Sequence, residues 1–195
     1  MSNFFARIEI NPIIAAIHQL DQLDEALKSP CETIFLLTGN IFNLKEIANR
    51  VRSKGKGLYI DIDSIDGFSK DTWGLEYIIR NIYPDGIITS KENLVRLSKD
   101  LGAFTILRLF IKDSISLKSG IQSIKSTRPH AVEIFPGIMP KITKMISAKT
   151  NIPIITSGLI MDEEDVIESL NSNAIAVSSN NKNVWYYIRN KRDWS

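Results

Sequence analysis

Short apolar runs alternate with amphipathic helical patterns along most of the chain. The runs are nearly continuous stretches of Ile, Val, Leu and Phe. Such runs are typical of a parallel sheet covered on both faces, because one-sided antiparallel strands alternate apolar and polar residues. The predicted strands are residues 12–17, 33–37, 58–62, 86–89, 104–110, 132–135, 152–156 and 174–177. The predicted helices are residues 20–28, 43–54, 71–82, 91–101, 114–126, 138–149, 162–170 and 181–189.

The spacing of these units predicts an α/β barrel. About eight strand–helix units recur at a period of about 22 to 24 residues, and eight such units close most naturally as a compact (β/α)8 barrel of the TIM type with parallel strands. The whole chain, residues 1–195, would then be one domain. An open doubly wound sheet is the alternative, because periodicity does not show whether a sheet closes.

Local signals bear on three of the helices. Asn43 with Glu46, and Asp162 with Asp165, have the spacing of a capping box and predict helix starts. Gly120 in the fifth connection predicts a short loop or a broken helix, since glycine is a poor helix former.

Composition excludes some classes of protein. The net charge of +2 is too small to indicate a nucleic-acid binder by itself, so any basic surface must come from clustering. The single cysteine, Cys31, rules out an intramolecular disulfide and suits a packing position in a reducing compartment. No signal-peptide pattern and no apolar run of roughly 18 residues is present. These features predict a cytoplasmic protein without a membrane partner.

Polar residues interrupt the apolar runs at the carboxyl ends of the predicted strands, which form the functional rim of either architecture. Glu133 is the most conspicuous, since it lies inside the apolar stretch AVEIFPGIMPK. Strand alternation places Asp61 and Asp63 on one side, where they would meet Arg108 and Glu133 above the core. Two interpretations stay open and are compatible: an ion pair of Arg108 with Glu133 or Asp63 that plugs the barrel, and hydrogen bonding to a small polyol.

The turns after the seventh and eighth strands suit an anion. SGLI begins at Ser157 and SSNN at Ser178, in the positions where barrels often hold phosphate on backbone N–H groups and helix N-termini. Ordinary turns and helix caps are the alternative interpretation of these short Gly and Ser sequences.

The sequence gives little support for catalysis or metal binding. Lys91, Lys112 and Lys141 all lie beyond their strands, where a Schiff-base lysine is not expected. His18 and His130 are far apart in the sequence and make no local metal motif. Asp61 and Asp63 lack an obvious third ligand. We therefore predict no catalytic residue, no metal and no cofactor.

Basic residues cluster in three places: residues 50–56, Lys141 with Lys144 and Lys149, and the tail from residue 185, which interleaves aromatic and basic side chains. Such groups could contact RNA, although a solvated helix face and a core-packed terminal helix are commoner explanations. Exposed aromatic residues in the last helix, at positions 185–187, could instead serve a contact between two subunits of a homodimer.

Several segments together resemble the glycerol-3-phosphate-responsive antiterminator family, the regulators of glycerol-uptake operons. The segments are NPIIAAI, IFLLTGNIFNLKEI, PDGIITSKENL, AVEIFPGIMPKI, NIPIITSGLI and AIAVSS, which cover nearly the whole chain in order. The resemblance implies a non-catalytic sensor barrel. Bound glycerol 3-phosphate would promote contact with leader mRNA, and transcription of glycerol genes would then pass a terminator.

The resemblance also implies roles for individual residues. Asp63, Arg108 and Glu133 would line the polyol side, Gly158, Ser178 and Ser179 would hold the phosphate, and Gly137 would let the sixth loop close over the ligand. The chain departs from the family at two positions, with Asp61 where a His is usual and Ser157–Gly158 where a Gly–Gly pair is usual. The alternative function is a phosphate-handling barrel enzyme, such as an aldolase, epimerase or lyase acting on a small sugar phosphate. A degenerate barrel with a purely structural polar plug is the third possibility.

Overall fold

A closed barrel of eight parallel strands is present in the computed structural model, which describes residues 3–187. The strands are β1 Ile13–Ile17, β2 Thr33–Leu36, β3 Gly57–Asp61, β4 Gly86–Thr89, β5 Phe104–Phe110, β6 Ala131–Phe135, β7 Ile154–Ser157 and β8 Ala174–Ser179. They follow the order of the sequence, and β8 pairs with β1 to close the ring. The predicted (β/α)8 barrel is confirmed, and the open sheet is excluded.

Helix α1 precedes β1, and the other helices follow the strands on the outside of the barrel. They are α1 Phe4–Ile10, α2 Leu23–Lys28, α3 Leu44–Ser53, α4 Thr72–Tyr77, α5 Glu92–Asp100, α6 Ser114–Thr127, α7 Pro140–Thr150, α8 Glu163–Asn171 and α9 Lys182–Trp185. Short 3-10 turns cover Leu20–Gln22 and Ile62–Ser64, and a π-helical turn, Ile78–Ile82, continues α4. Among the described residues, no helix is long and apolar enough to cross a membrane.

Two local predictions were wrong, and a third, at Asn43, was right for the helix start but not for the side-chain cap. Helix α6 is continuous, because Gly120 is buried against Leu109 of β5, where an added Cβ would lie 3.2 Å from the leucine. Asn43 occupies the N-cap position of α3, but its side chain accepts from the backbone N–H of Asn40 and does not cap the helix. Trp185, expected to be exposed, is fully buried and donates from Nε1 to the carbonyl of Ser179 at 2.6 Å.

Other local predictions were confirmed or lie elsewhere. Asp162 accepts a hydrogen bond from the backbone of Asp165 at 3.1 Å and caps α8 as expected. Tyr186 is exposed. The remainder of the aromatic and basic tail, residues 188–195, falls outside the described residues.

The barrel interior is filled by an aromatic and aliphatic cluster that α1 closes from below. Phe4 of α1 inserts between Tyr59 and Phe104, at ring-centroid distances of 5.1 and 4.9 Å. Ile106 and Ile155 lie in the same cluster. Because side chains alternate along a strand, the next inward positions on β3, β5 and β6 lie one layer higher, at the carboxyl ends of the strands. That layer carries the charged residues described next.

Candidate functional site

Three charged side chains lie together above the apolar interior: Asp61 on β3, Arg108 on β5 and Glu133 on β6. Arg108 and Glu133 are direct partners in the β5–β6 register, and Arg108 Nε donates to Glu133 Oε2 at 2.7 Å. Arg108 Nη1 donates to Asp61 Oδ2. Both carboxylates are fully buried and Arg108 is 7% exposed. The prediction that Arg108 pairs with Glu133 is confirmed, and its second partner is Asp61.

Burial and the neighbouring charges have opposite effects on the pKa values of Arg108 and Glu133. Burial disfavours the guanidinium charge, yet the Glu133 and Asp61 carboxylates outweigh burial and raise the pKa of Arg108. Burial raises the pKa of Glu133, and Arg108 counters it only in part. Since one guanidinium faces two carboxylates, a proton on Glu133 would neutralise the cluster. The cluster therefore holds a permanent cation beside a carboxyl group that is unusually ready to be protonated.

Supporting contacts fix Asp61 and Arg108. Asp61 Oδ1 accepts from the backbone N–H of Asp63 at 3.0 Å, and Asp61 Oδ2 accepts from Ser64 Oγ at 2.7 Å. Ser157, at the end of β7, borders the same end of the barrel. The guanidinium carbon of Arg108 lies 5.1 Å from the centroid of the Phe135 ring, within cation–π range. These contacts hold the charged cluster in one arrangement.

Several buried side-chain polar atoms have no hydrogen-bond partner among the described residues, and Arg108 Nη2, Glu133 Oε1 and Ser178 Oγ at this end of the barrel are among them. Ser178 lies on β8 and is fully buried. Buried donors are normally satisfied, because leaving one unpaired costs about 1 to 3 kcal/mol. A charged donor and a hydroxyl left free at the same end of the barrel indicate a place where a polar ligand or water binds.

A small cavity of about 30 Å³ lies at this end of the barrel, at the carboxyl ends of β7 and β8. Its lining includes His18, Phe135, Ser157, Gly158, Leu159, Ser178, Ser179 and Asn180. Gly158 has φ +79°, and a Cβ there would lie 2.7 Å from the Phe135 ring. Only glycine therefore suits this position, both in backbone conformation and in space.

The loop after β6 is held against the loop after β7. The backbone N–H of Gly137 donates to the carbonyl of Gly158 at 2.9 Å. A Cβ on Gly137 would lie 2.8 Å from the backbone nitrogen of Ser157. The close approach of the two loops explains why both positions are glycine.

Asp63 and Ser179 lie at the same end of the barrel, but their side chains are engaged within the fold. Asp63 Oδ2 accepts from the backbone N–H and hydroxyl of Ser90, at 2.7 and 2.9 Å, which ties the turn after β3 to the end of β4. Ser179 Oγ donates to the carbonyl of Ile160 at 3.0 Å and accepts from the backbone of Asn181. The structure thus brings together Arg108, Glu133, Ser157, Gly158 and Ser178, and it uses Asp63 and Ser179 as braces.

His18 and Phe135 belong to the site although neither was predicted to bind ligand. His18 is exposed at the rim, yet its partial burial and the Arg108 charge lower its pKa, while Asp61 opposes the change. Alternation along β6 was the signal for Phe135, which lies two residues after Glu133 on the same side. Within the described chain, no group of three or more His, Cys, Asp or Glu residues is arranged to hold a metal ion.

Comparisons with known proteins agree with this geometry. The family model described as glycerol-3-phosphate responsive antiterminator matches residues 13–185. The uncharacterized protein YgcP of Escherichia coli K12 is 34% identical over 175 residues, which is 90% of this chain and 92% of that protein.

Two solved structures share the fold over most of the chain. One is the glycerol uptake operon antiterminator regulatory protein of Listeria monocytogenes, with a TM-score of 0.87 and 30% identity over 90% of this chain and 95% of that one. The other is a glycerol uptake operon antiterminator-related protein of Thermotoga maritima, with a TM-score of 0.82 and 28% identity over 91% of this chain and 99% of that one. A family match over this range, together with a barrel that superposes on antiterminator structures, shows that the chain belongs to the glycerol-3-phosphate responsive antiterminator family.

Proposed function

We propose that this chain is a non-catalytic antiterminator that binds glycerol 3-phosphate at the Arg108 end of the barrel and, when occupied, binds leader mRNA. Family membership supports the class of function. The observation that carries the ligand is the pair of free buried donors, Arg108 Nη2 and Ser178 Oγ, at strand ends where barrels hold phosphate. A phosphorylated polyol offers acceptors for both donors.

The two donors would bind different parts of the ligand. Ser178 Oγ and the backbone around Gly158 would receive the phosphate, as the sequence predicted. Arg108 and Glu133 lie deeper and would bind the hydroxyl groups, since a carboxyl and a guanidinium together can accept and donate. Asp61 neutralises part of the Arg108 charge, so it need not repel the phosphate directly.

Binding requires the rim to move. The cavity of about 30 Å³ holds about two waters, less than a phosphorylated polyol occupies. Leu159, which is 61% exposed and has φ +61°, lies on the loop that borders the cavity. Displacement of this loop by the ligand would connect occupancy of the site to the outer surface of the barrel.

Thermal-shift titration tests the ligand. Glycerol 3-phosphate should raise Tm with its concentration, and glycerol or inorganic phosphate alone should raise it less, because a ligand bound only by the folded state stabilises it by mass action. Ser178→Ala removes a hydroxyl that has no internal partner and should reduce the shift. Ser98→Ala, which removes another buried unpaired hydroxyl on α5, is the matched control and should leave the shift unchanged. Equal shifts in both variants would contradict the proposed placement.

Reconstituted transcription tests the output. Read-through of a terminator placed behind a glycerol-operon leader should rise when protein and glycerol 3-phosphate are both present. Read-through that is the same with and without glycerol 3-phosphate would contradict the sensor mechanism.

An enzyme acting on a sugar phosphate is the second candidate, and it is favoured by one observation. The pKa of buried Glu133 is raised, which suits a general acid. A screen of small sugar phosphates should show no turnover if the sensor function holds. Turnover that disappears in Glu133→Gln but persists in Ser98→Ala would establish the enzyme instead.

A further inference from the structure

Helices α6 and α7 present an exposed surface that carries cations and no acidic side chains. The exposed cations, which we call the basic face, are Lys118, Lys125, Arg128, Lys141, Lys144 and Lys149. All but one of the chain's 22 acidic residues lie outside residues 114–150, and the exception, Glu133, is buried in the barrel. Within the described part of the chain, none of the six cations forms an ion pair with an acidic side chain. Asp100 of α5 borders Lys125 and Arg128 without pairing with them, so no ion pair among the described residues neutralises this charge.

Helix stability suits Lys125, Arg128 and Lys149, which lie at helix C-terminal ends, but it does not explain the cations at the start of α7. Lys141 and Lys144 lie in the first turns of α7, where the helix dipole disfavours positive charge. Acidic partners three or four residues away would have offset the repulsion, and the sequence of α7 supplies none. Cations at the start of α7 without acidic partners suit an anionic partner.

Three of the four basic residues in the cluster at residues 50–56 are engaged within the fold. Within residues 50–56, Arg50 pairs with Asp24, and Arg52 donates to a backbone carbonyl at the end of the π-helical turn. Lys56 donates to two backbone carbonyls in the connection before β2, at 2.7 and 2.6 Å. The basic face of α6 and α7 has no comparable ion pairs, so it is the stronger candidate.

The basic face contains a groove between α6 and α7. Its volume is about 520 Å³. Leu117, Ile121 and Met145 contribute apolar side chains to its lining, and Lys118, Lys125 and Lys149 contribute the cations. Lys118 and Lys125 are spaced seven residues apart on one helix face, about 10 Å along the axis. A strip of cations beside an apolar floor matches a strand with a charged backbone and apolar base faces.

We propose that the basic face of α6 and α7 is the RNA-binding surface of this protein, with the groove receiving one strand of the RNA. The inference rests on the proposed function, which supplies the RNA. The basic face is directly connected to the ligand site. Strand β6 carries Glu133 and Phe135, and α7 follows it in the chain. The loop between them is held against Gly158 by the backbone of Gly137. Occupancy of the cavity would therefore reach the basic face through α7.

Charge reversal tests the surface. The triple variant Lys118→Glu, Lys125→Glu, Lys149→Glu changes the groove cations only. The matched control is Lys28→Glu, Lys45→Glu, Lys54→Glu, which makes the same change in net charge at exposed lysines of the α2–α3 side, across the barrel. Binding of a fluorescein-labelled, mixed-sequence RNA hairpin is measured by anisotropy with glycerol 3-phosphate present, at several salt concentrations.

The groove variant should bind at least roughly tenfold more weakly than the wild type at about 0.15 M salt, and its salt dependence should be shallower by about two to three units of the log–log slope. The control should bind within about threefold of the wild type once the change in net charge is allowed for. Wild-type affinity in the groove variant, or equal losses in both variants, would overturn the placement and leave the antiterminator function standing. A wild type that binds anionic lipid vesicles but no RNA would overturn both the placement and the RNA part of the proposed function, while the ligand titration would still report on the cavity.

Discussion

Arg108 and Glu133 face each other as direct register partners on adjacent strands, and the 2.7 Å contact between Nε and Oε2 lies inside a barrel rather than at its surface. Asp61 holds a second edge of the same guanidinium. A lone buried charge would be costly, and this arrangement satisfies two sides of the cation while Nη2 stays free. The cluster is therefore a structural brace that leaves one guanidinium nitrogen unpaired within the described chain.

Loss of the cation should strongly destabilise the fold. Arg108→Met leaves two buried carboxylates facing each other, and we expect the free energy of unfolding to fall by about 3 to 5 kcal/mol. The triple variant Asp61→Asn, Arg108→Met, Glu133→Gln removes the uncompensated charge and should recover most of the loss. Urea denaturation measures both.

Arg96→Met is the control for that experiment, because it breaks the half-exposed pair with Glu92 and should cost about 1 kcal/mol or less. If Arg108→Met were as stable as the triple variant, the buried carboxylates would have to be neutral, and the ion pair would not be the brace described above.

Gly158→Ala should damage the site more than the backbone strain alone explains. Gly158 and Gly102 have nearly the same φ, +79° and +78°, so alanine at either position meets a similar strain of roughly 1 to 2 kcal/mol. Nothing lies within 4 Å of a Cβ at Gly102, whereas at Gly158 the Phe135 ring must move. We expect Gly158→Ala to lose glycerol 3-phosphate binding and to be the less stable of the two in urea. Equal stability and retained binding in both variants would show that the Phe135 contact is unimportant.

The alternation of side chains predicted the core of this site because it depends only on local geometry. Tyr59 and Asp61 share the interior side of β3, and Arg108 and Glu133 meet there as expected. The prediction does not extend to Asp63, because β3 ends at Asp61 and the chain enters a 3-10 turn. Where a strand ends depends on neighbouring strands, which a local pattern does not contain.

Non-local packing explains the other differences. Helix α1 was not predicted, since the burial of Phe4 depends on the open end of a barrel assembled from distant segments. Trp185 could be recognised as buried only once Ser179 was known to lie beside it. Arg108 Nη2 likewise lacks a hydrogen-bond partner among the described residues because of where two carboxylates lie in three dimensions. These carboxylates are 47 and 25 residues away in the sequence.

Cys31 should be unreactive in the folded protein. Burial raises the pKa of this thiol to about 11 from 9.0, so the thiolate is scarce at pH 8. Iodoacetamide at pH 8 should alkylate the protein in urea and leave the native protein largely unmodified, as mass spectrometry can show. Rapid native alkylation would mean that the loop before β2 opens far more often than its packing suggests.

The same shift makes stability depend on pH. The unfolded thiol loses its proton near pH 9 and the folded thiol near pH 11, so stability contributed by the protonated folded thiol is present below pH 9 and is lost as the pH rises to 11. The loss should approach about 2 to 3 kcal/mol. Cys31→Ala has no titrating thiol. The difference in unfolding free energy between the wild type and this variant should therefore change by about 2 to 3 kcal/mol between pH 9 and pH 11. A constant difference would contradict the shift.

Binding of glycerol 3-phosphate should be accompanied by proton uptake at His18. Burial and the Arg108 charge lower the pKa of His18 in the free protein, so the imidazole is mostly neutral at pH 7. A phosphate dianion in the adjoining cavity would favour the imidazolium and raise that pKa, and the complex would then bind more protons than its separate components. Affinity should therefore increase as the pH falls from about 8 to 7, a range in which the ligand stays mostly dianionic because its second pKa is about 6.

Isothermal titration calorimetry measures this uptake directly, since the observed enthalpy varies with the ionisation enthalpy of the buffer. His18→Gln keeps a polar side chain at the edge of the cavity but cannot titrate, so binding should persist with little buffer dependence. The Glu133 carboxyl, whose pKa is raised, is the other group in the site that could exchange a proton. Uptake that persists in His18→Gln and disappears in Glu133→Gln would assign the proton to the buried cluster and contradict the role of His18.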